Sequence, residues 1–399
     1  MPREKTRPVE KLWNSNYIKI WTVNFLLHFA FTLIVPLLPL YLSETFGANK
    51  ETIGLCLAGY TVMAILIRPF SGYVTDSFPR KTVLLICNFL FFALFGGYLL
   101  AGSLTMFTIF RTLHGLPFGA STVVASTVAI DVLPSSRRTE GMGYYGLANN
   151  LATVIGPILA IWFLQMFNGN FQPLFWLSFA VSFCGILLDL SIKTPKKDFV
   201  PNKKVISLDR FFLLKGWREA ITLLCFAFSY GIVSTYVAIY GKEKLGITSG
   251  TGLFFSFLAV GLILSRLTGS KALRENKVSR NATMGMLVSV FGYLLFAAVP
   301  SPLGYYGSAF IIGLGNGHMY PAFLNMFINL ARNDQRGTAN SSILTAWDAG
   351  VGLGVLSGGL LSEHYGYSSA FWCALAINVA GIILYFAVTR AHFEKNKLR

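Results

Sequence analysis

Twelve apolar runs of about bilayer length succeed one another along this chain, and the positive charge between them falls almost wholly in alternate gaps. A bilayer core needs about 20 consecutive apolar residues per helical crossing, and Lys and Arg collect in short loops on the cytoplasmic side. The pattern predicts an all-α polytopic membrane protein with twelve transmembrane helices. Both termini then lie on the cytoplasmic face of a cell membrane, with Arg80/Lys81, Arg137/Arg138 and Arg332/Arg336. The opposite face keeps only Lys50, Lys242 and Lys244.

With 54% hydrophobic and 13% charged residues, the chain has too much apolar surface for a soluble multidomain enzyme to cover. A net charge of +16 would suit a nucleic-acid partner, but the basic residues sit in loops and tails rather than along one face. They imply an anionic bilayer surface, not nucleic acid. Cys56, Cys87, Cys184, Cys225 and Cys373 all lie within apolar runs and form no close pair, so neither a metal site nor a redox pair is expected. The basic start of the chain lacks a short apolar core with a cleavage site, so the first run is expected to act as its own insertion signal.

The longest gap divides the chain into residues 1–192 and 217–399, each with six runs, joined by a basic cytoplasmic linker over 193–216. The halves echo each other in order. Tyr41, Glu44, Gly47 and Arg68 recur as Tyr240, Glu243, Gly246 and Arg266, while Gly119, Gly141 and Gly156 recur as Gly315, Gly337 and Gly352. Two diverged copies of one unit would form two pseudo-symmetric six-helix bundles, a plan that places a transport site at their interface. No partner chain is needed, and a monomer is expected.

Between the second and third runs stands Gly72-Tyr73-Val74-Thr75-Asp76-Ser77-Phe78-Pro79-Arg80-Lys81. At Gly72, Asp76, Arg80 and Lys81 it resembles the loop signature of the major facilitator superfamily, departing from it at Ser77 and Pro79. Arg111-Thr112-Leu113-His114-Gly115 in the fourth run resembles that superfamily's exporter arginine motif. Gly156-Pro157 in the fifth resembles its antiporter glycine-proline motif. Over the whole chain the pattern is most like the twelve-span proton-coupled drug and metabolite exporters. The resemblance implies alternating access, with Gly72, Asp76, Arg80, Lys81, Gly156 and Pro157 as conformational-latch candidates.

Few ionisable residues lie inside the runs, and Asp348 is the one acid near the middle of a run. An aspartate moved between a desolvated setting and the neighbourhood of an arginine changes its readiness to hold a proton. Asp348, His28, Arg111 and His114 are therefore the proton-coupling candidates; a permanent pairing of Asp348 with a neighbouring helix is the structural alternative. Asn24 and Thr32 share a face with His28. With Asn149, Asn150, Tyr230, Tyr236, His318, Tyr320, Asn325 and Trp347 they form the candidate cavity lining, aromatic and hydrogen-bonding but poor in fixed charge. Such a lining suits an amphipathic small molecule, and Arg111 admits a carboxylate. No phosphate loop, zinc helix or nucleophile elbow is present, so neither an enzyme nor an ATP-driven pump is expected and no cofactor is implied. The expected function is proton-coupled efflux of a small organic solute. The rivals are a proton symporter or uniporter for a nutrient, and a membrane sensor that binds solute without moving it.

Overall fold

A chain in lipid must satisfy every backbone N–H and C=O within itself, and long apolar runs do so as helices. The computed structural model describes residues 11–134, 137–194, 212–247, 251–274, 277–332 and 335–398, and among them all regular structure is helical. Fourteen α-helices follow in order: α1 (Ser15–Ile34), α2 (Leu38–Phe46), α3 (Lys50–Ser77), α4 (Arg80–Leu100), α5 (Leu104–Val132), α6 (Arg138–Met166) and α7 (Gln172–Ser191), then α8 (Trp217–Leu245), α9 (Thr251–Arg274), α10 (Val278–Ala298), α11 (Pro302–Leu330), α12 (Arg336–His364), α13 (Gly366–Leu384) and α14 (Arg390–Asn396). Helices α1 and α2 form one segment broken at Val35–Leu37, where Pro36 and Pro39 cannot donate backbone hydrogen bonds. A π-helical turn at Tyr385–Thr389 joins α13 to α14. Most of the expected linker, residues 195–211, lies outside the described residues.

Ten helical segments among the described residues are long and apolar enough to cross a membrane: α1–α2, α3 to α8, α10, α12 and α13–α14. The eighth and tenth expected runs do form helices. Side chains of α9 are described only over the apolar stretch Gly252–Ser265, where Leu253, Phe257, Val260 and Ile263 are exposed, and α11 is not among the ten. For α11 the reason is enclosure. Gly313 of α11 lies against the Leu258 carbonyl of α9, Gly315 lies against Ser289 and Gly285 of α10, and His318 Nδ1 is 2.9 Å from Asn281 Oδ1. A helix walled in by helices can carry small and polar residues that one facing lipid cannot. Elsewhere Leu55, Leu66, Phe89, Phe291 and Ile383 are exposed, a breadth of apolar surface that a lipid environment would cover. Exposed Trp13, Trp162, Trp176, Trp217 and Trp372 sit near helix ends, where an amphipathic ring suits a membrane interface.

The packing scheme of the first half is repeated in the second. Helix α1 packs on α6 and α7, α3 on α5, and α4 on α5 and α7; α8 packs on α12 and α13, α9 on α11, and α10 on α11 and α13. The correspondence reaches single atoms. A Cβ on Gly115 of α5 would stand 2.0 Å from the Tyr60 carbonyl oxygen, and one on Gly313 of α11 would stand 2.0 Å from that of Leu258. Gly119 and Gly317 likewise approach the carbonyls of Ala64 and Leu262, so packing aligns Gly119 with Gly317 rather than with Gly315. Gly47 and Gly246 end α2 and α8 in the left-handed conformation, with φ of 63° and 64°, which explains why glycine recurs there. Ser103 and Ser301 accept a backbone N–H at the starts of α5 and α11. The halves meet chiefly where α3 packs on α12, and less extensively where α6 packs on α9.

Backbone approach through glycine leaves no space for a side chain. Gly313→Leu is expected to destabilise the protein by about 1–3 kcal/mol or more, whereas Gly307→Leu, whose Cβ would meet only Leu295 at 3.6 Å, is expected to be nearly silent. Thermal unfolding of the two variants in detergent checks this, and equal losses would contradict the glycine seam.

Candidate functional site

Residues seven apart fall on one face of a helix, since seven residues make almost two turns. Gly54, Thr61 and Arg68 therefore line one edge of α3, and α12 meets them in reverse order with Gly359, Gly352 and Asp348. At one end the backbones nearly touch: a Cβ on Gly54 would stand 3.1 Å from the Val355 carbonyl oxygen and 3.4 Å from Gly359 Cα. Tyr236 closes this end from α8, its hydroxyl donating to the Val355 carbonyl at 2.9 Å and to that of Lys50 at 3.4 Å. At the other end Arg68 Nη2 lies 2.6 Å from Asp348 Oδ2. The Arg68 side chain is 3% exposed and that of Asp348 24%, so the pair is rooted in the interior but reaches accessible space.

Charged groups link the halves beyond the glycine end. Lys50 Nζ lies 3.6 Å from Glu243 Oε2, the Lys50 backbone N–H donates to Glu363 Oε2 at 2.9 Å, and Tyr367 donates to Glu243 at 3.0 Å. Lys242 pairs with Glu44, and His364 Nε2 lies 3.2 Å from Glu51 Oε2. Two of the three lysines that break the charge rule are thus held by acids across the halves, and this end of the assembly is shut.

Around the central pair lie two aromatic groups. On the first-half side Phe31 stacks on Tyr60 and Phe118, with ring centroids 5.0 and 4.7 Å apart, and His28 meets Phe118 edge-on at 5.5 Å. Arg111 is buried here. Its guanidinium lies 4.1 Å over the Tyr60 ring and 5.4 Å from that of Phe31, and its Nη1 is 3.5 Å from the Tyr98 hydroxyl. No carboxylate among the described residues pairs with it. His114 Nδ1 is 2.7 Å from the Tyr98 hydroxyl, so His114 and Arg111 share one phenol. On the second-half side Trp347, next to Asp348, packs on Tyr230 at 5.5 Å and Tyr320 at 5.2 Å.

Several cavity candidates hydrogen-bond to neighbouring helices or to their own. Asn24 donates to Asn149 Oδ1 at 2.5 Å and the Tyr145 carbonyl at 3.2 Å, and Thr32 donates to the Ala152 carbonyl at 2.9 Å; both thereby hold α1 to α6. Gly156 allows that approach, since its Cβ would stand 2.2 Å from Thr32 Oγ1, with Pro157 buried beside it. His318 faces Asn281 of α10, and Asn325 bonds back to the Pro321 carbonyl at 2.8 Å. Among the latch candidates, Arg80 pairs with Asp131 of α5 and Lys81 donates to the Leu190 carbonyl at 2.8 Å, both within the first half. The side chains of Gly72, Asp76 and Asn150 lie outside those described. Sequence reasoning missed that Arg68 is the partner of Asp348, although both stood out as charges in apolar runs. It also missed the buried pair of Asn88 with Asp189, 2.5 Å apart, which an acid near the end of a run could have signalled.

Residues 20–347 and 280–399 match the family model described as Major Facilitator Superfamily, which together spans more than half of the chain. The chain belongs to the Major Facilitator Superfamily. It is a multi-pass membrane transporter, and its substrates are small molecules. The staphylopine export protein of Staphylococcus aureus is 23% identical over 388 residues, covering 92% of this chain and 94% of that protein. The quinolone resistance protein NorA of Staphylococcus aureus is 22% identical over 389 residues, covering 94% and 96%. The peptide transporter POT, solved in complex with alafosfalin, shares the fold with a TM-score of 0.78 at 14% identity, over 96% of each chain.

Removing one member of a buried ion pair strands the other and costs about 3–5 kcal/mol. Asp348→Asn and Arg68→Gln are each expected to destabilise the protein toward the lower end of that range, because Asp348 is partly exposed. The double variant is expected to recover part of the loss. Strictly additive losses in denaturant unfolding would show that the pair contributes nothing.

Proposed function

We propose that this protein is a secondary active transporter in the cell membrane that moves a small organic solute outward by alternating access, driven by inward proton flow. Its two bundles are residues 1–192 and 217–399, joined by the linker 193–216, with six spans each and both termini cytoplasmic. The observation that carries this reading is the Arg68–Asp348 pair, the buried charge contact between α3 and α12. Protonation of Asp348 removes the charge that holds Arg68, loosening α3 from α12; proton loss restores it. A proton thereby acts on the same seam that must part for the bundles to rock.

With the glycine end shut and the charged residues beyond it paired across the halves, the arrangement corresponds to a state open toward the termini. The name of the staphylopine export protein supports the outward direction, and that of the quinolone resistance protein is compatible with it. His28, within electrostatic reach of Arg68, and the Arg111–Tyr98–His114 group assist the proton. The aromatic residues Tyr230, Tyr320 and Trp347 line the solute path.

Vesicles containing the purified protein test the coupling. An imposed pH gradient is expected to drive solute against its concentration gradient, and Asp348→Asn is expected to abolish pH-driven flux in a protein that remains monodisperse. Flux indifferent to the gradient would exclude proton coupling, and uphill solute movement in the direction of the proton would establish symport. Binding without flux would favour a sensor.

Rocking also requires the paired end to open. Glu44→Cys with Lys242→Cys, joined by a short cleavable cross-linker, is expected to stop transport by at least about tenfold, with recovery on cleavage. Undiminished transport while the link is intact would show that this end does not part.

A further inference from the structure

The centre of the molecule holds an imbalance of both charge and hydrogen bonding. Among the described residues, two buried guanidiniums, Arg68 and Arg111, stand against one carboxylate, Asp348, and that carboxylate is already engaged by Arg68 Nη2. Tyr60 lies under Arg111 and within electrostatic reach of Arg68 and Asp348, so it connects the two cations. The buried groups left without partners here are mostly donors: Nε and Nη1 of Arg68, Nε of Arg111 and the hydroxyl of Tyr60, with Nε2 of His114 beside them. Guanidinium nitrogens can only donate. An unpaired cation in a membrane interior is expensive, and so is a buried donor without an acceptor. His28 and His114 cannot correct the charge balance, because an imidazole is either neutral or a further cation.

An anion with several acceptor oxygens would satisfy both deficits. A carboxylate matches the fork of a guanidinium, accepting two parallel N–H bonds. A stack of rings, Phe31 with Tyr60 and Phe118, adjoins the donors, and Phe31 is its partly exposed member. We infer that the transported solute is an amphipathic carboxylate: its anionic group is received by Arg111, Tyr60 and the free edge of Arg68, and its apolar body lies on the Phe31–Phe118 stack. This rests on the transport reading above and names the substrate class of that site.

Matched solutes test the inference. Thermal shifts of the purified full-length protein, and flux in vesicles, are measured for aryl carboxylates including a quinolone acid, for their ethyl esters and carboxamides, and for acetate. The acids are expected to bind at least tenfold more tightly than their esters and amides, with acetate far weaker than the aryl acids. Arg111→Gln is expected to erase the difference between acid and ester, and Tyr60→Phe to reduce it. Should Arg111→Gln fail to fold, Arg111→Lys and Tyr60→Phe provide the same comparison with less disturbance. Esters or amides bound as tightly as acids, acids that give no shift, or an acid preference that survives these substitutions would overturn the inference. So would acetate equal to the aryl acids, which would indicate a site for a bare anion. Flux of solutes without acid preference overturns this inference alone, whereas acid-selective binding with no flux of any solute overturns the transport reading alone.

Discussion

A guanidinium inside a membrane protein is tolerable only if something nearby answers its charge, and for Arg68 that is Asp348. Because these residues belong to α3 and α12, the pair sets the position of one half of the chain against the other. The contacts further along the same edge follow from that register: Thr61 meets Gly352, and Gly54 meets Val355 and Gly359. Shifting the pair by one helical turn would drive side chains into backbone at every glycine along the edge.

Packing inside each half also relies on close approach. There helices approach through glycine onto carbonyl oxygens, as at Gly115 with Tyr60 and Gly313 with Leu258, or through side chains such as Asn24 bonded to Asn149. Interfaces filled to contact distance do not slide by fractions of an ångström; they hold or they separate. Contacts made of ion pairs and single hydroxyls can be broken and remade in water. At α3–α12 the Arg68–Asp348 pair and the Tyr236 hydroxyl are contacts of that kind, set among the glycine approaches.

Much of the fold was legible because lipid enforces a simple rule: apolar length makes a helix. The rule is weakest for α11, whose surroundings are other helices, so that its Gly313, Gly315 and His318 reflect neighbours rather than lipid. Glycine matches were legible as order but not as register, since only packing distinguishes Gly317 from Gly315 as the counterpart of Gly119. In the site, Asp348 stood out because a lone acid in an apolar run is rare. Its partner did not, because the pairing depends on how two distant helices meet. Polar stripes such as Asn24, His28 and Thr32 look alike in sequence whether they face a cavity or a neighbouring helix. Here Asn24 and Thr32 bond to α6, and His28 turns toward Phe118.

The charged residues beyond the glycine end sit largely in water, unlike the pair at Asp348. Lys242 and Glu44 are 49% and 36% exposed, and Glu243 is 41% exposed. At physiological ionic strength dissolved ions screen such contacts over about 8 Å, and more strongly as salt rises, while a buried pair is screened much less. The two ends of one helical seam therefore answer to different surroundings. Raised salt would weaken the paired end and leave the interior pair almost untouched, so one seam would soften from a single side.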